Sequence, residues 1–171
     1  MVAEFMSKAR ELLAGGATES NREAVGRLLA EESRRPAFVP DAGMQSLHGS
    51  DSTFTILQSD EDGLTLMLAR FPSYQETPVH DHGSWGVACV VQGRDRYRHF
   101  RMVDGKVSLL YEKELEPGSF VTWPGPPDDI HSQQGIGEAA LELVLFGKDV
   151  TRIPRHYHDL ETGQVRTALP Q

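Results

Sequence analysis

The chemistry-bearing stretch of this chain is TPVHDHGSWG, residues 77–86, in which His80 and His82 flank Asp81. In an extended segment side chains alternate with period two, so both imidazoles leave one face and Asp81 the other. Their Cβ atoms then stand roughly 6.5–7 Å apart, set by the strand rise. Two imidazoles at that spacing can meet on one ion, although a pair by itself also fits surface histidines. A third donor is His131, at the end of PGSFVTWPGPPDDIH about fifty residues on. Two strands later the chain could return it to the same end of a barrel, or His131 could simply terminate a strand.

These residues need elements to position them. Residues 4–13 place Phe5, Met6, Ala9, Leu12 and Leu13 on one face of a helix stopped by Gly15-Gly16. Ser20 and Glu23 have the spacing of a capping box, and Ala24, Val25, Leu28 and Leu29 form the stripe of a second helix. Pro36 and Pro40 bracket an irregular link. From Thr53 the period changes to short β-branched and aromatic runs, TFTIL, LTLMLARF, WGVACVV, DRYRHFRM, KVSLLY, SFVTW, ALELVLF and TRI, separated by turn residues. Asp104-Gly105 predicts a tight hairpin, because a type I′ turn needs positive φ at both positions. Gly83-Ser84 predicts a break after His82. The expectation is one domain, residues 1–171, with a helical N-terminal part (1–40) packed outside a mainly β sandwich or barrel (53–171).

Composition narrows the partners. The chain has 171 residues and a formal charge of −8, which argues against nucleic acid or an anionic membrane surface, since phosphate binding needs a basic face. No apolar run reaches the ~20 residues of a spanning helix. Glu4 and Glu11 interrupt what a secretory leader would keep apolar. Cys89 is the only cysteine, so no intrachain disulfide forms. The expectation is a cytoplasmic protein acting on a small molecule, with its oligomeric state left open. Phosphate loops, nucleophile elbows and Cys-x-x-Cys pairs are missing from the sequence.

PVHDHGSWGVACVVQG and PGSFVTWPGPPDDIH together resemble the two motif regions of the cupin superfamily, and most closely its cysteine dioxygenase-like branch, which includes 3-mercaptopropionate dioxygenases. The resemblance runs from about Leu64 to the C-terminus and rests on His-x-His, the following Trp-Gly, Gly93 and Ile130-His131. It implies a double-stranded β-helix, or jelly-roll barrel, with His80, His82 and His131 as facial ligands of one Fe(II) and open positions for substrate and O2. Common cupins add a glutamate where this chain has Val87, so a fourth protein ligand is not expected. Imidazole donors with open positions also suit zinc, nickel or copper. Neutral ligands leave the ion its full 2+ charge, which favours a thiolate, enolate or carboxylate beside it.

Departures from that family bear on the substrate. Its Ser-x-His-x-Tyr-Gly stretch corresponds here to Glu142, Val144, Phe146 and Gly147, so the outer hydrogen-bond network of the family is missing. The arginine that holds the substrate carboxylate in cysteine dioxygenases falls near Ile56. Arg70 is the candidate replacement, because it stands in an otherwise apolar run and must reach either water or an anion. Val144 and Phe146, with Val87, Cys89 and Val91 turned inward and Trp85 at the metal mouth, are expected around the substrate. Tyr97 offers a pocket hydroxyl or simple packing. His156 and His158 form a second His-x-His, read as surface; His48 and His99 have no partner at ligand spacing.

Overall fold

Several of the apolar runs do not alternate, and a strand without alternation is one covered on both faces. Such strands form the centre of the fold. In the computed structural model, which describes residues 2–35, 45–47, 51–61 and 63–169, two helices, α1 (Val2–Leu12) and α2 (Glu19–Glu32), precede the strands. The strands are β1 (Gln45–Leu47), β2 (Ser52–Ser59), β3 (Thr65–Phe71), β4 (Val79–His80), β5 (Gly86–Gln92) and β6 (Asp95–Val103), then β7 (Lys106–Leu115), β8 (Phe120–Trp123), β9 (His131–Gly135), β10 (Ala140–Phe146), β11 (Arg155–His158) and β12 (Val165–Ala168). They form two antiparallel six-stranded sheets, ordered β1-β2-β3-β10-β5-β8 and β12-β11-β4-β9-β6-β7. This is a jelly roll, mainly β, with the helices outside. The proline-bracketed link at 36–44 and His48 lie outside the described residues.

The first sheet is the middle layer. Its inner face sends Met67, Ala69, Phe71, Ala88, Val144 and Phe146 toward the second sheet. Its outer face sends Leu66, Leu68, Val87, Cys89, Leu143 and Leu145 against Phe5, Met6 and Ala9 of α1 and Val25 and Leu29 of α2. Each Val, Leu, Phe or Met among them that is taken fully out of water stabilises the fold by about 1.5–3 kcal/mol. The contact between α2 and β8 is close enough that a Cβ on Gly26 would overlap the Phe120 ring.

Two local expectations change. The second helix starts earlier than the Ser20–Glu23 pattern suggests: Thr18 is the N-cap, extended, with its hydroxyl accepting from the Asn21 amide, while the Asn21 side chain closes back on the Gly16 carbonyl at 2.7 Å. The run TRI is a turn, in which Asp149 Oδ1 accepts from the Thr151 amide and hydroxyl. The following RHYH is strand β11, in which His156 is exposed and His158 half-buried while Arg155 and Tyr157 point inward. Asp104 and Gly105 do take positive φ, 49° and 77°, in the β6–β7 hairpin. Among the described residues no helix is long and apolar enough to cross a membrane.

Leu29→Ala should lower unfolding free energy by about 2–5 kcal/mol, read from the urea midpoint, whereas Leu12→Ala, on a side chain 37% exposed, should stay within about 0.5 kcal/mol.

Candidate metal centre

The histidines meet because of strand pairing. His80 in β4 lies directly opposite His131 in β9, and His131 lies opposite His99 in β6, so these side chains share the inner face of the second sheet. His82 joins them from the bend that follows. Gly83 turns the chain with φ of 65°, which favours glycine, and β5 begins three residues later. The bend is tied down: the Trp123 indole donates to the Ser84 carbonyl at 3.2 Å, and the Gly147 amide donates to Ser84 Oγ at 3.1 Å. Asp129 joins the two histidine-bearing segments, accepting from the amides of His82 at 3.1 Å and Gly83 at 2.8 Å.

The three imidazoles converge through their Nε2 atoms. His80 to His82 and His82 to His131 are each 3.1 Å apart, and all three residues are buried. At a metal–nitrogen distance of about 2.1 Å, a 3.1 Å edge subtends roughly 95°, the angle of neighbouring corners of an octahedron. His80 Nδ1 donates to the Pro78 carbonyl at 2.7 Å, which keeps the proton there and turns a bare Nε2 lone pair inward. Burial pushes the His131 pKa well below its ordinary value, with His80, His99 and Arg155 adding to the shift. A neutral imidazole is the form that ligates. The donor set therefore fits one divalent ion, and among the described residues no carboxylate joins the cluster.

Beside the imidazoles is a cavity of about 20 Å³, room for roughly one water molecule. Gln133 and Arg155 complete its polar wall, and Met67, Phe71, Trp123, Val144 and Phe146 form its apolar wall. The His82 ring packs on Phe146 at 4.6 Å between centroids and His131 on Trp123 at 4.9 Å. Any substrate larger than water must displace a wall side chain, and unbranched Met67 has the rotamers to give way. Wider surface grooves, such as one of about 360 Å³ along Pro78, Tyr157, His158 and Arg166, bring no such donors together.

Of the residues expected around the substrate, Val144 and Phe146 line this cavity. Val87, Cys89 and Val91 do not face inward: they pack on the helix side, and Ala88 and Val90 take the inner face. Burial lifts the Cys89 thiol to about 11, as befits a small apolar side chain. Trp85 also lies on the helix side, over Gly147, where a Cβ would overlap its ring. The tryptophan at the centre is Trp123. Arg70 has the parity of Leu66 and Leu68, away from the cavity. The arginine that does reach it is Arg155, 1% exposed. Burial lowers the Arg155 pKa to about 10, so it remains a cation at neutral pH. Tyr97 is fully buried behind His131, ring to ring at 5.6 Å, with its hydroxyl 3.1 Å from His99 Nδ1. His156 is exposed and bonded to Asp81 at 2.7 Å.

Sequence reasoning also missed an acid pair. Asp95 and Glu142, both 0% exposed, bond to each other and to Gln133, whose amide donates to Glu142 at 2.6 Å and Asp95 at 3.4 Å. Burial lifts Asp95 to about 7 and Glu142 well above the carboxylate range.

No protein-family model matches the chain, and no curated protein does. Solved structures do match. An oxalate oxidase superposes with a TM-score of 0.51 at 18% identity, over 66% of this chain and 60% of that one. The cupin domain of Schizosaccharomyces pombe Cnp3 gives 0.50 at 17%, over 64% and 71%. The chain has the cupin fold. The same fold recurs in a structure of the DMSP lyases RdDddP and RnDddQII, with a TM-score of 0.50 at 17% identity, over 89% of this chain and 71% of that one. Matches at this identity report architecture, and function is argued from the site.

Two outcomes follow from the geometry. His131→Ala should reduce bound metal from about one ion per chain to background by elemental analysis, with the far-ultraviolet circular dichroism retained. For the acid pair, a folded pKa raised above the unfolded one means that the folded state holds a proton the unfolded chain releases. Stability should therefore fall as pH rises from about 4 to about 7, and Asp95→Asn/Glu142→Gln should flatten that slope in urea titrations.

Proposed function

We propose that this protein is a mononuclear non-haem iron dioxygenase of the cysteine dioxygenase-like kind, oxidising a small anionic thiol to a sulfinate. The observation that carries the reading is the set of three buried imidazoles, their donor atoms all within 4.8 Å of one another, without a carboxylate ligand and beside a buried arginine. The reaction balances without an external reductant: a thiolate and O2 give a sulfinate, both oxygen atoms ending on sulfur.

His80, His82 and His131 would hold an Fe(II), which would supply the one-electron chemistry that joins O2 to a thiolate. The chain's residues do the rest. Arg155, a cation in the cavity wall, pairs with a carboxylate on the substrate and so orients the thiolate toward the imidazoles. Trp123, Val144 and Phe146 exclude water, which strengthens that pairing. Pro78 and Asp129 hold the ligand side chains and their backbone in place. Glu142, Val144 and Phe146 stand where the family has its Ser-His-Tyr network, so substrate orientation falls to Arg155.

That apolar wall also favours a second reading, a three-histidine cupin that cleaves a carbon–carbon bond of a diketone or similar enolisable compound. Oxygen uptake with diketones and none with thiols would select it.

The deciding measurement is electron paramagnetic resonance of the anaerobic Fe(II)-loaded protein with nitric oxide, with and without mercaptocarboxylates. A thiol-dependent change in the iron-nitrosyl signal is expected, and Arg155→Gln should raise the half-saturating concentration of a mercaptocarboxylate by about tenfold or more. An iron-nitrosyl signal indifferent to thiols would overturn the thiol assignment.

A further inference from the structure

The acid pair has no ordinary structural account. Asp95, Gln133 and Glu142 project inward from β6, β9 and β10, the inner faces that also carry Tyr97, His131 and Val144. Neither carboxyl makes an ion pair among the described residues, and the neighbouring arginines are turned away: Arg94 pairs with Glu114 and Arg96 with Glu112. Glu142 Oε2 accepts from Gln133, but its buried Oε1 receives no donor. Asp95 is the other polar contact of that carboxyl, so a proton held between the two acids supplies the missing donor. Two carboxylates in contact in a dry interior cannot both ionise, whereas one proton shared between them leaves a single delocalised negative charge.

Gln133 makes this pair part of the metal centre. It is a wall residue of the cavity, and its amide hydrogens are committed to Glu142 and Asp95. Only one side chain separates the pair from the three imidazoles. We infer that Asp95 and Glu142 are the proton-linked counter-charge of the three-histidine centre: entry of a divalent cation expels a proton from the pair to solvent, and the negative charge left behind helps hold the ion. This rests on the histidines being a divalent-cation site and on nothing about thiols or dioxygen.

The other charged and ionisable groups near the pair are otherwise engaged. Glu76 acts on Asp95 but is itself engaged by Arg98 at 2.8 Å and Ser132 at 2.6 Å. Burial raises Tyr97 and Cys89, the other ionisable neighbours, far above neutrality. Arg155 stays cationic across the range. Any protons displaced from the histidines themselves are common to wild type and variant, and cancel between the two.

The test is isothermal titration calorimetry of metal-free protein with Ni2+ in buffers of different ionisation enthalpy, on wild type and Asp95→Asn/Glu142→Gln. Near pH 6.5, wild type should release more protons per ion than the double variant does, by about half a proton or more. The excess should vanish near pH 8.5, where the pair has already lost its first proton. Affinity should drop by about tenfold in the variant. Should the variant not fold, infrared difference spectra of wild type carry the test, since Ni2+ should remove a protonated-carboxyl C=O band at pH 6.5. Equal proton release in the two proteins, or an unchanged carboxyl band, overturns the inference while leaving the metal centre standing. Failure of wild type to bind Ni2+ overturns both.

Discussion

Dryness of the gap between the two sheets governs the behaviour of every group at the site. One low-dielectric interior keeps His131 neutral, protonates an acid pair near neutrality and draws the Arg155 pKa down to about 10. These shifts have different signs because burial penalises whichever form is charged. A neutral histidine ligates, a protonated acid stores a proton, and an arginine that stays charged against this penalty suits an anion. The same physics thus prepares three different roles in adjacent side chains.

That dryness is built from outside inward. The helices cover the outer face of the first sheet through Phe5, Met6, Val25 and Leu29, which frees its inner face to close on the second sheet. Trp123, Phe146 and Met67 then fill the space around the imidazoles. Small residues set how closely these layers approach: a Cβ at Gly86 would overlap Trp123, and one at Gly26 would overlap Phe120. The centre is therefore coupled to helix packing by residues remote from the histidines along the chain.

The site also divides its labour by sheet. The second sheet supplies His80, His131, Gln133 and Arg155, and the first supplies the apolar wall and Glu142. Polar groups from one layer meet mostly apolar groups from the other. The exception is Glu142, a buried acid of the first sheet that meets Asp95 and Gln133 of the second.

Much of the centre is readable from residue order. His80, His82 and His131, the break at Gly83, the hairpin at Asp104-Gly105 and the two helices follow from period, turn chemistry and motif, which are local properties of the chain. Facing is different. VACVV and LTLMLARF are covered on both sides, so they carry no alternation to say which residues point inward. Residue order points Val87, Trp85 and Arg70 at the cavity, whereas Ala88, Trp123 and Arg155 occupy that side. Arg155 and the Asp95–Glu142 pair are hidden for a related reason. Each is an ordinary polar residue in sequence, and only the pairing of distant strands brings it into a buried interior, where burial shifts its protonation.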